Sequence, residues 1–271
     1  MKSHTGYGEI GYELMHNVFS KDHLGVIAQS LRAALMKGNP DMAELSLDEL
    51  ILAREAKDHS LVYKASQSLG SSYAAYNLLG SGILNAVCEL AGFHPAELHI
   101  MPMYLIVQLP GDERFDYAWH QDGAYYDWCD EFAALWFPVN RSVTAGTGTI
   151  SVVPRSHCEG RRASDTYFRD GSFRQIEARL GEQEAEQERV IELELGDCCL
   201  MDGNLVHRSV TNRSATPRVA GVVRLAHLAK VDTTSVRLEV EQIHLVGKWG
   251  RVFLGALIVR RPAEWAFSRK G

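Results

Sequence analysis

His120 and Asp122 stand two positions apart in the stretch Trp119-His120-Gln121-Asp122-Gly123. In extended backbone both side chains therefore leave the same face. An imidazole and a carboxylate presented together supply two ligands for a divalent metal. On its own the pair carries little, because His-x-Asp arises by chance in many chains. Residues further along the chain give it weight. His207 lies 85 residues after Asp122, behind Gly196-Asp197 and the apolar run Cys198 to Met201. Two imidazoles and one carboxylate make the facial triad of non-heme Fe(II) oxygenases, which leaves metal positions open. Ser209 comes two residues after His207, and Arg218 eleven. A guanidinium grips a carboxylate through paired, charge-assisted hydrogen bonds that lysine cannot copy. That is the group needed to anchor the distal carboxylate of 2-oxoglutarate while its keto-acid end chelates iron.

Two other readings remain open on these residues. The same ligand set suits zinc with an activated water, as in a metal hydrolase. That reading leaves Arg218 without a role and finds no evident general base beside the metal. A non-catalytic jelly-roll binding protein is the second, and an intact ligand set with Arg218 counts against it.

The elements that must position these residues fall into two regions. The first ninety residues read as mostly helical. Ser20 is placed to cap a helix with Leu24, Ile27, Leu31 and Leu35 at helical spacing, stopped by Gly38-Asn39-Pro40. Ser46 and Glu49 form a capping box before Leu47 to Lys57. A further helical stretch runs from Ser72 to Leu90, interrupted at Gly80-Ser81-Gly82 and ended by Gly92. From Leu98 the pattern turns to short strands: Leu98 to Leu109, Phe132 to Val139, Thr149 to Val153, Val190 to Leu195, Cys198 to Asp202 and Arg218 to Leu228. Glu159 to Glu188 is long, polar and charged, and reads as a partly helical insertion with the length of a lid. Val231 to Arg261 holds further strand-like runs, including Val252 to Val259. The expectation is α+β: one domain over 1–271, with a helical layer over 1–92 supporting a jelly-roll core over 98–261.

Composition narrows the classes. With 46% hydrophobic and 23% charged residues the 271-residue chain is ordinary for a soluble globular protein, large enough for a sizeable core. A net charge of −6 argues against a general nucleic-acid binder. Met1 to Gly11 lacks the apolar core of a signal peptide, and no apolar run reaches the length of a membrane span. Five scattered cysteines with no Cys-x-x-Cys pair read as reduced thiols in a cytoplasmic protein. The expected partner is a small-molecule substrate, with no nucleic acid and no membrane.

The ordered set His120-Gln121-Asp122-Gly123, Val153-Pro154-Arg155-Ser156-His157, Gly196-Asp197 and His207-x-Ser209 followed by Arg218 resembles the phytanoyl-CoA dioxygenase (PhyH) family, roughly from Gly25 to Leu228. The resemblance implies a double-stranded β-helix (cupin-like) core and a dioxygenase, or hydroxylase, using Fe(II), 2-oxoglutarate and O2, with release of succinate and CO2. It implies His120, Asp122 and His207 as iron ligands and Arg218 and Ser209 as the hold on 2-oxoglutarate. It places Trp136, Tyr104 and Lys64 at positions that contact the cosubstrate. Halogenating relatives replace the carboxylate with a small residue, so Asp122 favours hydroxylation or a related oxidation.

Thr147-Gly148 stands where the family usually has Asn-Gly, and Arg155 stands where it has Gly. Neither touches the metal, so both bear on the substrate, for which a natural-product or small-metabolite intermediate is the expectation. Tyr125, Tyr126 and Trp128 come after the metal loop and are candidates to line its pocket, with ordinary packing as the alternative. His157 reads as a structural hydrogen-bonder rather than a catalytic group.

Overall fold

A computed structural model of the chain describes residues 5–80, 82–114, 116–126, 128–169, 173–230, 245–246 and 252–253. In chain order the elements are α1 (Thr5–Ile10), β1 (Tyr12–Met15), α2 (Lys21–Met36), α3 (Leu47–Lys57), α4 (His59–Ser68), α5 (Tyr73–Leu79) and α6 (Ile83–Ala91). Next come β2 (Leu98–Ile100), β3 (Tyr104–Gln108), β4 (Phe132–Pro138), β5 (Thr149–Val152), β6 (Ser164–Arg169), β7 (Phe173–Ala178), α7 (Glu182–Ala185) and β8 (Arg189–Ile191). The last are β9 (Cys198–Asp202), β10 (His207–Val210), β11 (Arg218–His227), β12 (Leu245–Val246) and β13 (Val252–Phe253).

The helices form where caps and periodicity require them. Ser20 accepts from the Asp22 amide at the start of α2, which buries Leu24, Ile27, Leu31 and Leu35. Ser46 and Glu49 close a reciprocal capping box on α3. Gly92 ends α6 at φ 73°, a left-handed conformation that glycine adopts without a Cβ clash. Among the described residues no helix is long and apolar enough to cross a membrane.

Two antiparallel sheets carry the rest. The larger has the order β1-β9-β4-β11-β2, with β3 also paired to the long strand β11. The smaller has the order β10-β5-β8. Alternation along the central strands creates two apolar layers. Leu135, Phe137, Cys198, Leu200, Val219, Val223 and Leu225 face the helices, joining Leu24, Ile27, Leu31 and Leu50. Ala134, Trp136, Cys199, Met201, Ala220 and Val222 face the second sheet, against Ile150, Val152 and Ile191. The architecture is thus α+β: helices, a six-stranded sheet and a three-stranded sheet in layers, the double-sheet arrangement of a jelly roll. Burying each large side chain contributes about 1.5–3 kcal/mol, so the two fillings fix which face of β11 turns inward.

Several elements differ from the sequence reading. The N-terminal helical region contains β1, which pairs Tyr12 with Met201 at the edge of the larger sheet. Helix α4 fills a stretch the sequence reading leaves unassigned, started by Asp58, whose side chain accepts from the Ser60 amide. The run Leu98 to Leu109 is two strands, because β2 and β3 pair successive parts of β11. Strand β8 ends at Ile191, and Leu193 makes only an isolated bridge to Val143. His207 to Val210 is a strand because it pairs with β5.

The charged insertion is chiefly a β-hairpin, β6 paired with β7, with helix confined to Glu182–Ala185. Its charge does not keep it off the core, since Gln175, Ile176 and Ala178 are buried. Of the tail, Leu245–Val246 pairs with Val252–Phe253, and the rest of Val231 to Arg261 lies outside the described residues.

Candidate metal centre and cosubstrate pocket

The two histidines are stapled to each other through their own backbone. His120 lies in the connection from β3 to β4 and His207 opens β10; each amide donates to the other's carbonyl, at 2.8 and 2.9 Å. Their rings stand 4.1 Å apart between centroids. Each ring then makes a second bond to backbone: His120 Nδ1 lies 2.8 Å from Ala118 O, and His207 Nδ1 lies 2.9 Å from Leu205 O. A carbonyl accepts only, so Nδ1 carries the proton in both rings and Nε2 keeps its lone pair for a metal.

Asp122 joins them from the 3-10 turn Asp122–Ala124, whose Gly123 amide donates to Gly203 O at 2.7 Å. A Cβ at position 123 would stand 2.8 Å from Asn204 Oδ1 and 3.2 Å from Gly203 O, so the turn sits this close to the chain only with glycine. One Asp122 oxygen is 3.8 Å from His120 Nε2. Ligand atoms of His120, Asp122 and His207 all fall within 4.8 Å of one another, and among the described residues this is the one such group of His, Cys, Asp and Glu. All three residues are buried.

The electrostatics match a cation site. Burial, and then the neighbouring His207, depress the His120 imidazole to about 3, so it is neutral and able to ligate. Burial alone would raise Asp122, but the Arg224 guanidinium and the two imidazoles outweigh it and hold the carboxyl well below its usual range. Arg224 grips that carboxylate with two bonds, Nε to Oδ2 and Nη2 to Oδ1, both 3.0 Å.

A second pocket lies beside the triad, lined by Ile106, Gln108, Asp116, Ser209 and Arg218 among others. Arg218 opens β11 opposite Gln108 of β3 and is buried. Its Nη2 donates to Gln108 Oε1 at 2.6 Å, and its ring neighbour is Trp136, with the guanidinium carbon 5.5 Å from the indole centroid. Its Nε is buried with no hydrogen-bond partner among the described residues. An unpartnered guanidinium donor lining a pocket is able to take a carboxylate. Burial pushes the Arg218 pKa down to about 10, against the opposing pull of Asp116, so the side chain is cationic at neutral pH. Asp116 is engaged by Gln108 Nε2 at 2.5 Å and Thr211 Oγ1 at 2.8 Å. Ser209 Oγ lines the same pocket and accepts from the Tyr117 amide at 3.0 Å.

The other sequence candidates separate. Tyr104 opens β3 with Arg224 5.8 Å from its ring centroid, on the metal side of the pocket rather than at Arg218. Tyr126 lies 5.2 Å from the same guanidinium and borders Asp122. The Tyr125 ring stands 5.8 Å from His120, and its hydroxyl accepts from the Ile176 amide of the hairpin at 2.9 Å. Trp128 packs against Tyr126, its centroid 6.2 Å away, one step further from the triad. Lys64 is not brought to the site: it is exposed on α4, and its ammonium donates to Ser60 Oγ at 3.1 Å.

His157 is half-buried, with Nε2 3.4 Å from Gly8 O, while its neighbour Ser156 is buried and accepts from the Val206 amide. Arg155 sits at φ 69°, the left-handed backbone that explains a glycine at this place in the family pattern. Cys198 and Cys199 are both buried, with their thiols raised by burial, Cys198 to about 12.

Sequence reading passed over Gln108, Asp116, Tyr117 and Arg224. For Arg224 a signal existed, since it lies an even number of positions beyond Arg218 on one strand and so shares its face.

The comparisons with known proteins agree with this geometry. The family model described as phytanoyl-CoA dioxygenase (PhyH) matches residues 9–220. Among solved structures, the non-heme monooxygenase ThoJ in its apo form aligns with TM-score 0.59 at 19% identity, covering 82% of this chain and 75% of that one. EvdO2 from Micromonospora carbonacea var. aurantiaca, complexed with 2-oxoglutarate, aligns with TM-score 0.57 at 17% identity, covering 83% and 90%. The non-heme alpha-ketoglutarate-dependent carbocyclase SnoK from nogalamycin biosynthesis aligns with TM-score 0.55 at 16% identity, covering 83% of each chain. At these identities the structural likeness speaks to the fold alone. The family match spans most of the chain and takes in the triad and Arg218, and the chain therefore belongs to the PhyH family of Fe(II)- and 2-oxoglutarate-dependent oxygenases.

Proposed function

We propose that the protein oxidises a small organic molecule, by hydroxylation or a related oxidation, with His120, Asp122 and His207 holding Fe(II) and Arg218 and Ser209 holding 2-oxoglutarate. The observation that carries this reading is a buried two-histidine, one-carboxylate triad in the same fold as a buried arginine with an unpartnered donor. Bound Fe(II) and 2-oxoglutarate supply the oxidising power from O2: one oxygen atom enters the substrate and the other enters succinate, with loss of CO2.

The chain's own residues bind, orient and shield. The carbonyls of Ala118 and Leu205 fix both imidazoles in one tautomer and one direction. Arg218 grips a carboxylate from a buried position where water competes weakly, with Trp136 against its guanidinium. Tyr117 and Tyr125 wall the His120 side, their ring centroids 4.9 and 5.8 Å from the imidazole. No side-chain general base is required, and none is assigned.

The substrate is read as a natural-product or small-metabolite intermediate. Tyr104, Tyr126 and Trp128 offer aromatic walls rather than a run of cations that would hold a nucleotide carrier. A metal hydrolase needs a base beside the metal and no buried arginine, the reverse of what surrounds this triad. The test is succinate release from 2-oxoglutarate by the purified protein with added Fe(II), across a panel of small natural-product intermediates. Stimulation of succinate release by one of them, lost without Fe(II), supports the reading; hydrolysis with Zn(II) and no use of 2-oxoglutarate would replace it.

A further inference from the structure

Arg224 is a second cation on the inward face of β11, and its ion pair with Asp122 uses only one side of its guanidinium. Arg218, Ala220, Val222, Arg224 and Ala226 share that face by strand alternation, so small side chains separate two arginines about 20 Å apart along the strand. Arg218 marks the cosubstrate end. Arg224 therefore stands at the opposite end, beside Asp122. Its guanidinium is flanked by the rings of Tyr104 and Tyr126 at 5.8 and 5.2 Å.

Arg224 commits one side of its guanidinium to Asp122. Nε holds Asp122 Oδ2, and Nη2 holds Oδ1, the oxygen that is 3.8 Å from His120 Nε2 and so faces the triad. Nη1 has no hydrogen-bond partner among the described residues, and the side chain is 16% exposed. That side-on pair uses one hydrogen each of Nε and Nη2. What remains free is the Nη1–Nη2 edge, a planar two-nitrogen fork whose spacing matches a carboxylate.

We propose that Arg224 anchors an acidic group of the substrate, a carboxylate, on its free Nη1–Nη2 edge. This rests on the oxygenase reading and deepens it by naming the substrate class. Aromatic flanks at Tyr104 and Tyr126 fit an acid whose carbon framework is apolar or aromatic next to the carboxylate.

The test uses the whole protein loaded with redox-inert Ni(II) and 2-oxoglutarate, so that Arg218 is already occupied. Calorimetric titration compares benzoate with benzamide and phenylacetate with phenylacetamide. The acids are expected to bind at least about tenfold more tightly than the amides, the lower end for a charge-assisted hydrogen bond. The preference is expected to vanish in Arg224→Gln and to survive in part in Arg224→Lys.

Equal binding of acids and amides, no binding of the acids, or an intact preference in Arg224→Gln would overturn the proposal. A 2-oxoglutarate titration on the same Ni(II)-loaded samples separates the two readings. Ni(II) content is measured on every sample, so a lost preference is read only from protein that still holds the metal. Failure of the wild type to bind 2-oxoglutarate would remove the oxygenase reading, and this proposal with it.

Discussion

Arg218 and Gln108 face each other across β11 and β3 and are joined by a 2.6 Å hydrogen bond from guanidinium to amide oxygen. Gln108 in turn donates to Asp116. The amide thus aims the arginine and keeps it apart from a carboxylate that would otherwise compete for it. Gly148, at φ 84°, lies so close that a Cβ there would strike Gln108 Oε1.

From this relay, Arg218→Ala is expected to raise the KM for 2-oxoglutarate by roughly 10- to 150-fold, the equivalent of about 1.5–3 kcal/mol for a lost charged hydrogen bond. Arg218→Lys is expected to recover only part of it. Gly148→Ala is expected to raise the same KM while leaving metal affinity unchanged, because it displaces Gln108 and not the triad. Steady-state kinetics in 2-oxoglutarate checks all three, and an unchanged KM in Arg218→Ala would assign the cosubstrate to another cation.

Arg155 supplies a stability prediction. Its left-handed φ of 69° costs a non-glycine residue roughly 1–2 kcal/mol, against about 0.5–1 kcal/mol of extra chain entropy lost by a glycine. Arg155→Gly is therefore expected to leave stability unchanged or raise it by up to about 1 kcal/mol, whereas Arg155→Ala keeps the strain and gains nothing. Urea unfolding midpoints measure this; a clear loss in Arg155→Gly would mean that the arginine side chain itself supports the turn.

The triad was legible because its signals are short-range and ordered. Two positions in extended chain put His120 and Asp122 on one face, and Gly196-Asp197 announces the strand before His207. The helices were legible from Ser20, Ser46 and Gly92, whose side chains or backbone freedom act within one turn. Strand β1 was not legible, since it has four residues and its pairing partner, β9, is distant in sequence. The β6–β7 hairpin was missed although Asp170-Gly171 is a hairpin signal, because the charged flanks mask the inward Ile176 and Ala178. Lys64 was placed by resemblance alone, and helix α4 turns it to solvent. Arg224 was missed for the opposite reason: its spacing from Arg218 was visible, but only the three-dimensional fold brings Asp122 to it.

The hairpin yields a prediction about motion. A lid that substrate orders must have open amides without substrate. Here the Ala178 amide donates to Trp119 O at 2.7 Å and the Ile176 amide to Tyr125 Oη at 2.9 Å, with Arg169 Nη1 on Asp116 O at 2.7 Å. Slow hydrogen exchange at Ile176 and Ala178 is therefore expected in the substrate-free protein. Tyr125→Phe is expected to speed exchange at Ile176 at a cost of about 1 kcal/mol in stability. Fast exchange that slows only with substrate would return this segment to the role of a lid.

The chemistry turns on the metal. Anaerobic titration of Fe(II) into the protein with 2-oxoglutarate, tracked by the visible charge-transfer absorption of the iron–keto-acid chelate, measures it directly. One Fe(II) per chain is expected in the wild type, with the absorption lost or the affinity reduced more than about tenfold in His207→Ala, since two remaining ligands hold a labile metal poorly. The same absorption at the same Fe(II) concentration in His207→Ala would contradict it.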